Sequence, residues 1–159
     1  MESALSLQVT LAPQAPILEA QAASPLPIKV SVHNAAEWPV TILRWGSPLD
    51  PQAGVLGVFE VSDTTDQRKL SLPTIMVSRK LPASEADLVE IRAGETLDLT
   101  VKLPVPGLEK GHDYAVRAQG TWHAVWPTEL SSITTSQLKD NGGANRGDFR
   151  SNESHVKIE

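Results

Sequence analysis

Apolar residues in this chain return at every second position over short runs, and no long stretch carries the three-and-four spacing of an amphipathic helix. Period-two alternation puts every other side chain on one side of an extended backbone, so the chain must build its core from half-buried strands. Leu5, Leu7, Val9 and Leu11 alternate with Ser6, Gln8 and Thr10. After a Pro- and Ala-rich connector, Ile28, Val30 and Val32 alternate with Lys29, Ser31 and His33, and the chain turns over Asn34 to Trp38. Val40, Ile42 and Leu43 lead to Trp45, and a break at Gly46-Ser47-Pro48 and Asp50-Pro51 precedes Val55, Val58 and Val61. Leu70 with Leu72 and Ile75 with Val77 read as short extended pieces, which Pro73 confines to an edge or an irregular segment.

Pro82 to Asp87 suits a single helical turn, with proline and acids near its start. Leu88 to Ile91, the turn Ala93-Gly94-Glu95, and Leu97, Leu99 and Val101 read as two hairpin-linked strands, with their next partner starting at Tyr114. That strand carries Val116, Ala118, Trp122 and Trp126 on its even positions and is expected to kink at Gly120. Residues 127–151 are rich in Ser, Thr, Asn and Gly, with a strong turn signal at Asp140-Asn141-Gly142-Gly143, and read as a long mobile loop. Ser154, Val156 and Ile158 close the chain as a last strand. Seven to nine strands, punctuated by 12 prolines and 10 glycines, predict an all-β, immunoglobulin-like antiparallel β-sandwich with one long loop before the last strand. The 159 residues suffice for one such domain spanning 1–159.

Charge and cysteine content narrow the function. Fourteen Lys and Arg against nineteen Asp and Glu leave a formal charge of −5, which repels phosphate backbones and anionic lipid surfaces, so neither nucleic acid nor membrane is expected as a partner. With no cysteine there is no disulfide, thiolate nucleophile or thiolate metal site. His33, His112, His123 and His155 are scattered without the spacing that sets two imidazoles around zinc on a helix. Three of them fall on polar strand faces, and His112 falls in a turn. No nucleophile elbow, P-loop or dinucleotide fingerprint is present. The acid pairs Glu85/Asp87 and Glu90/Glu95 sit on turns, where carboxylates are solvated. The expectation is a non-enzyme with no catalytic residue, metal or cofactor.

Trp122 and Trp126, four apart on one strand, are expected to share a face and offer a sugar-stacking platform, unless they are core residues as Trp45 is. Arg146-Gly147-Asp148 falls in the expected loop and is attributed to chance. Asn152-Glu153-Ser154 is an N-glycosylation sequon, meaningful only for an exported chain. The first residues, Met1-Glu2-Ser3-Ala4, show no basic start and no apolar stretch, and read as cytosolic unless a signal has been removed.

The runs Gly94-Glu95-Thr96-Leu97-Asp98-Leu99-Thr100-Val101, Lys110 to Ala118 and Gly120-Thr121-Trp122 resemble the β-sandwich domain that precedes the catalytic module in fungal deuterolysin-like and peptidyl-Lys metalloendopeptidases. So does Val40 to Asp50, and the resemblance spans residues 5–123. Within it, Gly111-x-x-Tyr114 resembles a tyrosine corner. The family's His-Glu-x-x-His helix is absent, so no peptidase activity carries over. What the resemblance implies is a free-standing, secreted fungal protein, monomeric and extracellular, acting as an effector through a protein partner. Inhibition of a host papain-like cysteine protease by insertion of the 127–150 loop is the leading expectation. Trp38 and Trp126 would then anchor the loop base, with Pro127, Asn141, Gly142, Gly143 and Arg146 as further contacts. The alternative is a carbohydrate- or receptor-binding accessory module that uses the tryptophan face.

Overall fold

A computed structural model describes residues 6–18 and 25–159; Leu5, assigned above to the first strand, lies outside the described residues. Among them are ten strands: β1 (Leu7–Leu11), β2 (Leu26–Asn34), β3 (Val40–Leu43), β4 (Phe59–Asp63), β5 (Arg68–Lys69), β6 (Leu88–Ile91), β7 (Thr96–Leu103), β8 (Asp113–Trp126), β9 (Asn145–Arg150) and β10 (Ser154–Lys157). They form a three-stranded sheet, β1-β2-β7, facing a seven-stranded sheet organised on β8. The fold is the expected immunoglobulin-like all-β sandwich.

The alternation read in the sequence becomes the inner layer. Along β2 the residues Leu26, Ile28, Val30 and Val32 are buried while Pro27 and Lys29 face water. Its neighbours keep the phase, with Val9 opposite Val32 and Val101 opposite Ile28. Tyr114, Val116, Ala118 and Trp122 of β8 meet this layer from the other sheet. Each Val, Leu or Ile fully buried there contributes roughly 1.5–3 kcal/mol, and a one-residue slip would expose the whole set.

Strand β8 is the spine of the second sheet. On one flank Tyr114–Ala118 pairs β4 and Val125–Trp126 pairs β3, so β3 and β4 are two pieces of one line interrupted by residues 44–58. On the other flank Asp113–Val116 pairs β10 and Gln119–Val125 pairs β9. The chain after β1 crosses between sheets, and Ile17 bridges Ile158 in parallel. Asn152 fastens this crossing: Leu11 N–H donates to its Oδ1 at 2.8 Å, and its Nδ2 donates to the Leu11 carbonyl at 3.1 Å. The sequon asparagine is thus engaged with backbone through both of its amide atoms.

Three expectations are corrected. First, β6 and β7 are not a hairpin: β6 pairs β3 in one sheet and β7 pairs β2 in the other, so the turn at Gly94 is a crossover and β8 is not its ladder partner. Asn34 holds that crossover, its Nδ2 donating to the carbonyls of Ile91, Arg92 and Trp38 while Oδ1 accepts from Ala36 N–H. Second, Trp122 and Trp126 do not share a face. A register shift between Trp122 and Val125 changes the phase of β8, leaving Trp122 and Val125 in the main core and Ala124 and Trp126 in a separate cluster. Both indoles are buried, so neither is a sugar platform.

Third, residues 127–151 are not a mobile loop. They fold into a 3₁₀ turn (Leu130–Ser132), helix α1 (Thr135–Asp140) and β9. Leu130, Ile133, Leu138 and Ala144 pack on a small core of Leu43, Ala83, Leu88, Ala124 and Trp126. Thr134 caps α1, Leu130 N–H donates to Glu90 at 2.7 Å, and Ala83 N–H donates to the Leu138 carbonyl at 3.1 Å. Arg146-Gly147-Asp148 accordingly lies in a strand, with Thr121 donating to Asp148 at 3.0 Å. Leu70 is buried beyond the two-residue β5, and no strand forms over Ile75–Val77.

Candidate functional site

The insert leaves a cleft beside the Trp126 end of β8. Its floor comes from the end of β3 and the turn after it, Leu43, Trp45 and Gly46, with Leu56 behind. One wall is the irregular segment carrying Val77, Arg79 and Leu81. The other is the α1–β9 connection, with Asp140, Asn141, Ala144 and Arg146, and His123 stands between them on β8. The cavity measures about 630 Å³, within the usual range of ligand pockets.

Two devices set its shape. Gly46 takes φ +69°, and a Cβ there would come within 2.9 Å of His123 Nε2, so the missing side chain is what lets the imidazole sit over the turn. The second is an ion pair at the base. Asp50 is buried and accepts from Gly46 N–H at 2.9 Å, Gln52 N–H at 3.0 Å and both terminal nitrogens of Arg79, with Nη2 at 2.8 Å from Oδ1. Burial pushes the Asp50 carboxyl up, but the Arg79 guanidinium and the two N–H groups together hold it below the ordinary carboxylate range. The Asp50 hydrogen bond in turn raises Arg79. The guanidinium lies over Trp45 at 5.9 Å, and the Trp45 indole hydrogen-bonds Asp87. Arg79 is therefore a fixed, charge-neutralised part of the wall.

Arg146 is different. It is exposed and has no carboxylate within ion-pair distance among the described residues. Asp148, two positions on, is taken by Thr121, and Asp140 accepts from Gly142 N–H at 3.0 Å. Burial first, and Arg146 second, push the His123 imidazole below its ordinary value. The cleft thus holds an unpaired guanidinium beside an imidazole whose protonation is disfavoured, between walls that mix polar and apolar side chains.

Of the residues proposed from sequence, Asn141 and Arg146 line this cleft. Gly142 and Gly143 shape its rim: the Gly142 carbonyl accepts from Trp126 Nε1 at 2.8 Å, and Gly143 turns the chain at φ +74°. Trp126, at 1% exposure, is an internal strut and not a contact surface. Trp38, at 36%, lies in the β2–β3 turn, where its carbonyl accepts from Asn34, and exposed Pro127 ends β8; neither lines the cleft. Sequence reading missed Trp45, Arg79 and His123 as site residues. The Pro and Gly breaks around Trp45 were the one available signal, since they mark a turn carrying a large aromatic.

The other end of β8 is built in the opposite manner. His112 Nδ1 lies 2.8 Å from Asp63, 3.3 Å from Glu109 and 3.8 Å from Asp66. These four side chains are a possible N/O donor set, but Asp63 already accepts from Thr65 and Asp66 N–H as well as from His112. Burial raises Asp63, and the Asp66 N–H and His112 overcome it to hold the carboxyl low. The Asp63 hydrogen bond raises His112 against its own burial. Beside them Glu109 N–H donates to the Tyr114 hydroxyl at 2.7 Å, which is the tyrosine corner expected from Gly111-x-x-Tyr114. This end fastens two turns together.

The sandwich, its crossover and its tyrosine corner define an immunoglobulin-like domain, and the model of that family matches residues 16–158; the chain belongs to it. It is also similar to a protein of Arthroderma benhamiae named an uncharacterized secreted protein, 36% identical over 140 residues that cover 86% of this chain and 71% of that one. The immunoglobulin-like part of the resemblance stands on these matches, whereas the tie to fungal metalloendopeptidases is not among what they show.

Proposed function

We propose that the protein is a secreted, non-enzymatic binding module and that the cleft between Trp45, Val77–Leu81 and Asn141–Arg146 is where its partner docks. The observation that carries this is the unpaired Arg146 set in a concave site of mixed polar and apolar lining while the charged groups at the opposite end of β8 are mutually engaged. The naming of the Arthroderma benhamiae relative supports secretion. Nothing in the cleft pairs a nucleophile with a base, and His123 has no carboxylate to orient it among the described residues. Inhibition of an extracellular papain-like protease is one form this binding takes. It would proceed through the cleft rim, because residues 127–150 are packed on their own small core and are not free to insert.

The test is site-resolved cross-linking. A photoreactive residue at Val77, in the cleft wall, is compared with one at exposed Lys29 on the opposite sheet, each incubated with extracellular host proteins and with activity-labelled proteases. Discrete adducts from position 77 and none from 29 are expected. Adducts from 29 alone would overturn the assignment of the cleft, and unaltered protease labelling alongside adducts from 77 would remove the inhibitor form only.

A further inference from the structure

Resting on the cleft as the binding surface, we infer that its occupant is an extended peptide segment of a protein partner, aliphatic in character and bearing one carboxylate that Arg146 and His123 receive. The cleft wall is an irregular segment that belongs to neither sheet. Among the described residues, the backbone groups from Ser71 to Leu81 make one hydrogen bond, Ile75 N–H to the Val55 carbonyl at 2.8 Å, and no ladder. Backbone groups left open in this way can pair with a strand from a partner, in which main-chain hydrogen bonds supply affinity and alternate side chains supply specificity. Here the segment borders a pocket, so every second side chain of an added strand would point toward Leu43, Leu56, Val77 and Leu81.

The same segment carries its own apolar surface. Ile75 and Leu81 are about half exposed and Met76 is fully so, although most other large aliphatics of the described chain are buried. An unbranched, polarizable methionine adapts to varied side chains, as on other peptide-binding surfaces. Charge selects the acid. Arg79 is consumed by Asp50, and Asp140, which accepts from Gly142 N–H and keeps its charge, forms no ion pair with Arg146, which leaves Arg146 as the open cation of the site. His123 faces Arg146 on β9, the Gly46 turn and the Asp140 side of the cleft. A carboxylate arriving between Arg146 and His123 favours the imidazolium, so a second positive charge is recruited by the ligand and a proton is taken up on binding. Sugars fit less well, since the Arg79 guanidinium already lies over one face of Trp45. One free guanidinium is too little for a phosphate backbone.

The probes are fluorescein-labelled nonapeptides with alternating Val and Leu around a central Glu, together with Gln isosteres and, separately, dodecanoate, each up to about 1 mM. The Glu peptides are expected to bind about tenfold or more tightly than the Gln forms, and more tightly at pH 5.5 than at 7.5. Arg146→Gln should erase the Glu preference and His123→Gln the pH dependence. Amide exchange at residues 74–80 should slow on binding. Equal binding of Glu and Gln peptides, an unchanged Arg146→Gln protein, or binding of dodecanoate without any peptide would overturn the inference. If peptide binding disappears in Val77→Arg but ignores Arg146→Gln, the carboxylate is wrong and the cleft stands. Peptide binding that survives Val77→Arg would instead remove the cleft itself, and cross-links from Val77 without any peptide binding at 1 mM would sink the peptide alone.

Discussion

The two ends of β8 are separated by roughly 43 Å of one strand and are built on opposite plans. At the Asp113 end, His112 is ringed by Asp63, Glu109 and Asp66, the Tyr114 hydroxyl is held by Glu109 N–H, and Asp113 N–H donates to Thr65. At the Trp126 end the strand bulges, its indoles part into separate cores, and Arg146 is left beside His123 without a partner. A group whose hydrogen bonds and charges are met locally stabilises the fold and has little left for a ligand. One left open and solvated at a cleft adds little to stability and is available for binding. The contrast divides a single strand into a fastening end and a receiving end.

The largest expected effects test whether the ends are also separate in folding. Tyr114→Ala removes a fully buried ring from the main core together with the corner hydrogen bond, and should cost about 3–5 kcal/mol in a single global transition. Trp126→Ala deletes a buried indole of similar worth, but from the small cluster with Leu43, Ala83 and Leu88. Its loss should loosen residues 127–144 first, with amide protection falling there while β2 and β7 keep theirs. Equal loss of protection across both sheets in Trp126→Ala would mean that the insert and the sandwich are one cooperative unit.

Two glycines sharpen the comparison at an intermediate scale. A Cβ on Gly120 would lie 2.9 Å from the Phe149 ring, which packs on Trp122 with centroids 4.8 Å apart. Gly120→Ala should therefore cost about 1–3 kcal/mol by displacing that ring, as measured by urea denaturation, while the added methyl meets the Gly46 carbonyl of the cleft turn only at ordinary contact distance, 3.8 Å. Gly46→Ala combines a left-handed backbone with a 2.9 Å clash against His123, and should cost about 1–2 kcal/mol while also displacing the imidazole. A His123 NMR shift that moves in Gly46→Ala and stays put in Gly120→Ala is the expected pattern. If both move it equally, the two glycines act on one coupled region.

How far this was legible in the sequence follows from the range of the interactions involved. Leu26 to Val32 and Tyr114 to Ala118 each record their own burial, because a strand's phase is local, and the sandwich could be read from them. The tyrosine corner was legible because Gly111 and Tyr114 are close in the chain. The bulge after Trp122 was not, since it is defined by the unequal spacing of Gly147 and Asn145 across the ladder. Leu130, Ile133, Leu138 and Ala144 follow no period and find their cover in Leu43, Ala83 and Leu88, so their segment looked like loop. The cleft draws on residues from Leu43 to Arg146 in separate segments, and its key group, Arg146, is conspicuous only for a partner that spacing cannot reveal.

The smallest expected effect is the most direct test of the opposed plans, because the two histidines should bend the pH profile of stability in opposite senses. The His112 value is raised above 6.5 by Asp63, so its contribution is complete below the unfolded value and is lost as pH rises through the raised folded one. Asp63 is held below 3.8, so its share is present above that value and lost only as pH falls through the lowered one. The fastening end is thus strongest between those limits, in mildly acidic solution. His123 is lowered by burial and Arg146, so the unfolded chain takes up its proton first and stability falls as pH drops from 6.5 through the depressed value. Chemical denaturation from pH 4 to 8 should show His112→Gln destabilised at the acidic side of neutrality, with the gap closing as pH rises. His123→Gln should lose less stability than the parent on acidification. Parallel shifts of both variants would mean that the partners around the two imidazoles, three carboxylates at one end and a guanidinium at the other, do not govern them, and the division of β8 into two kinds of end would fail.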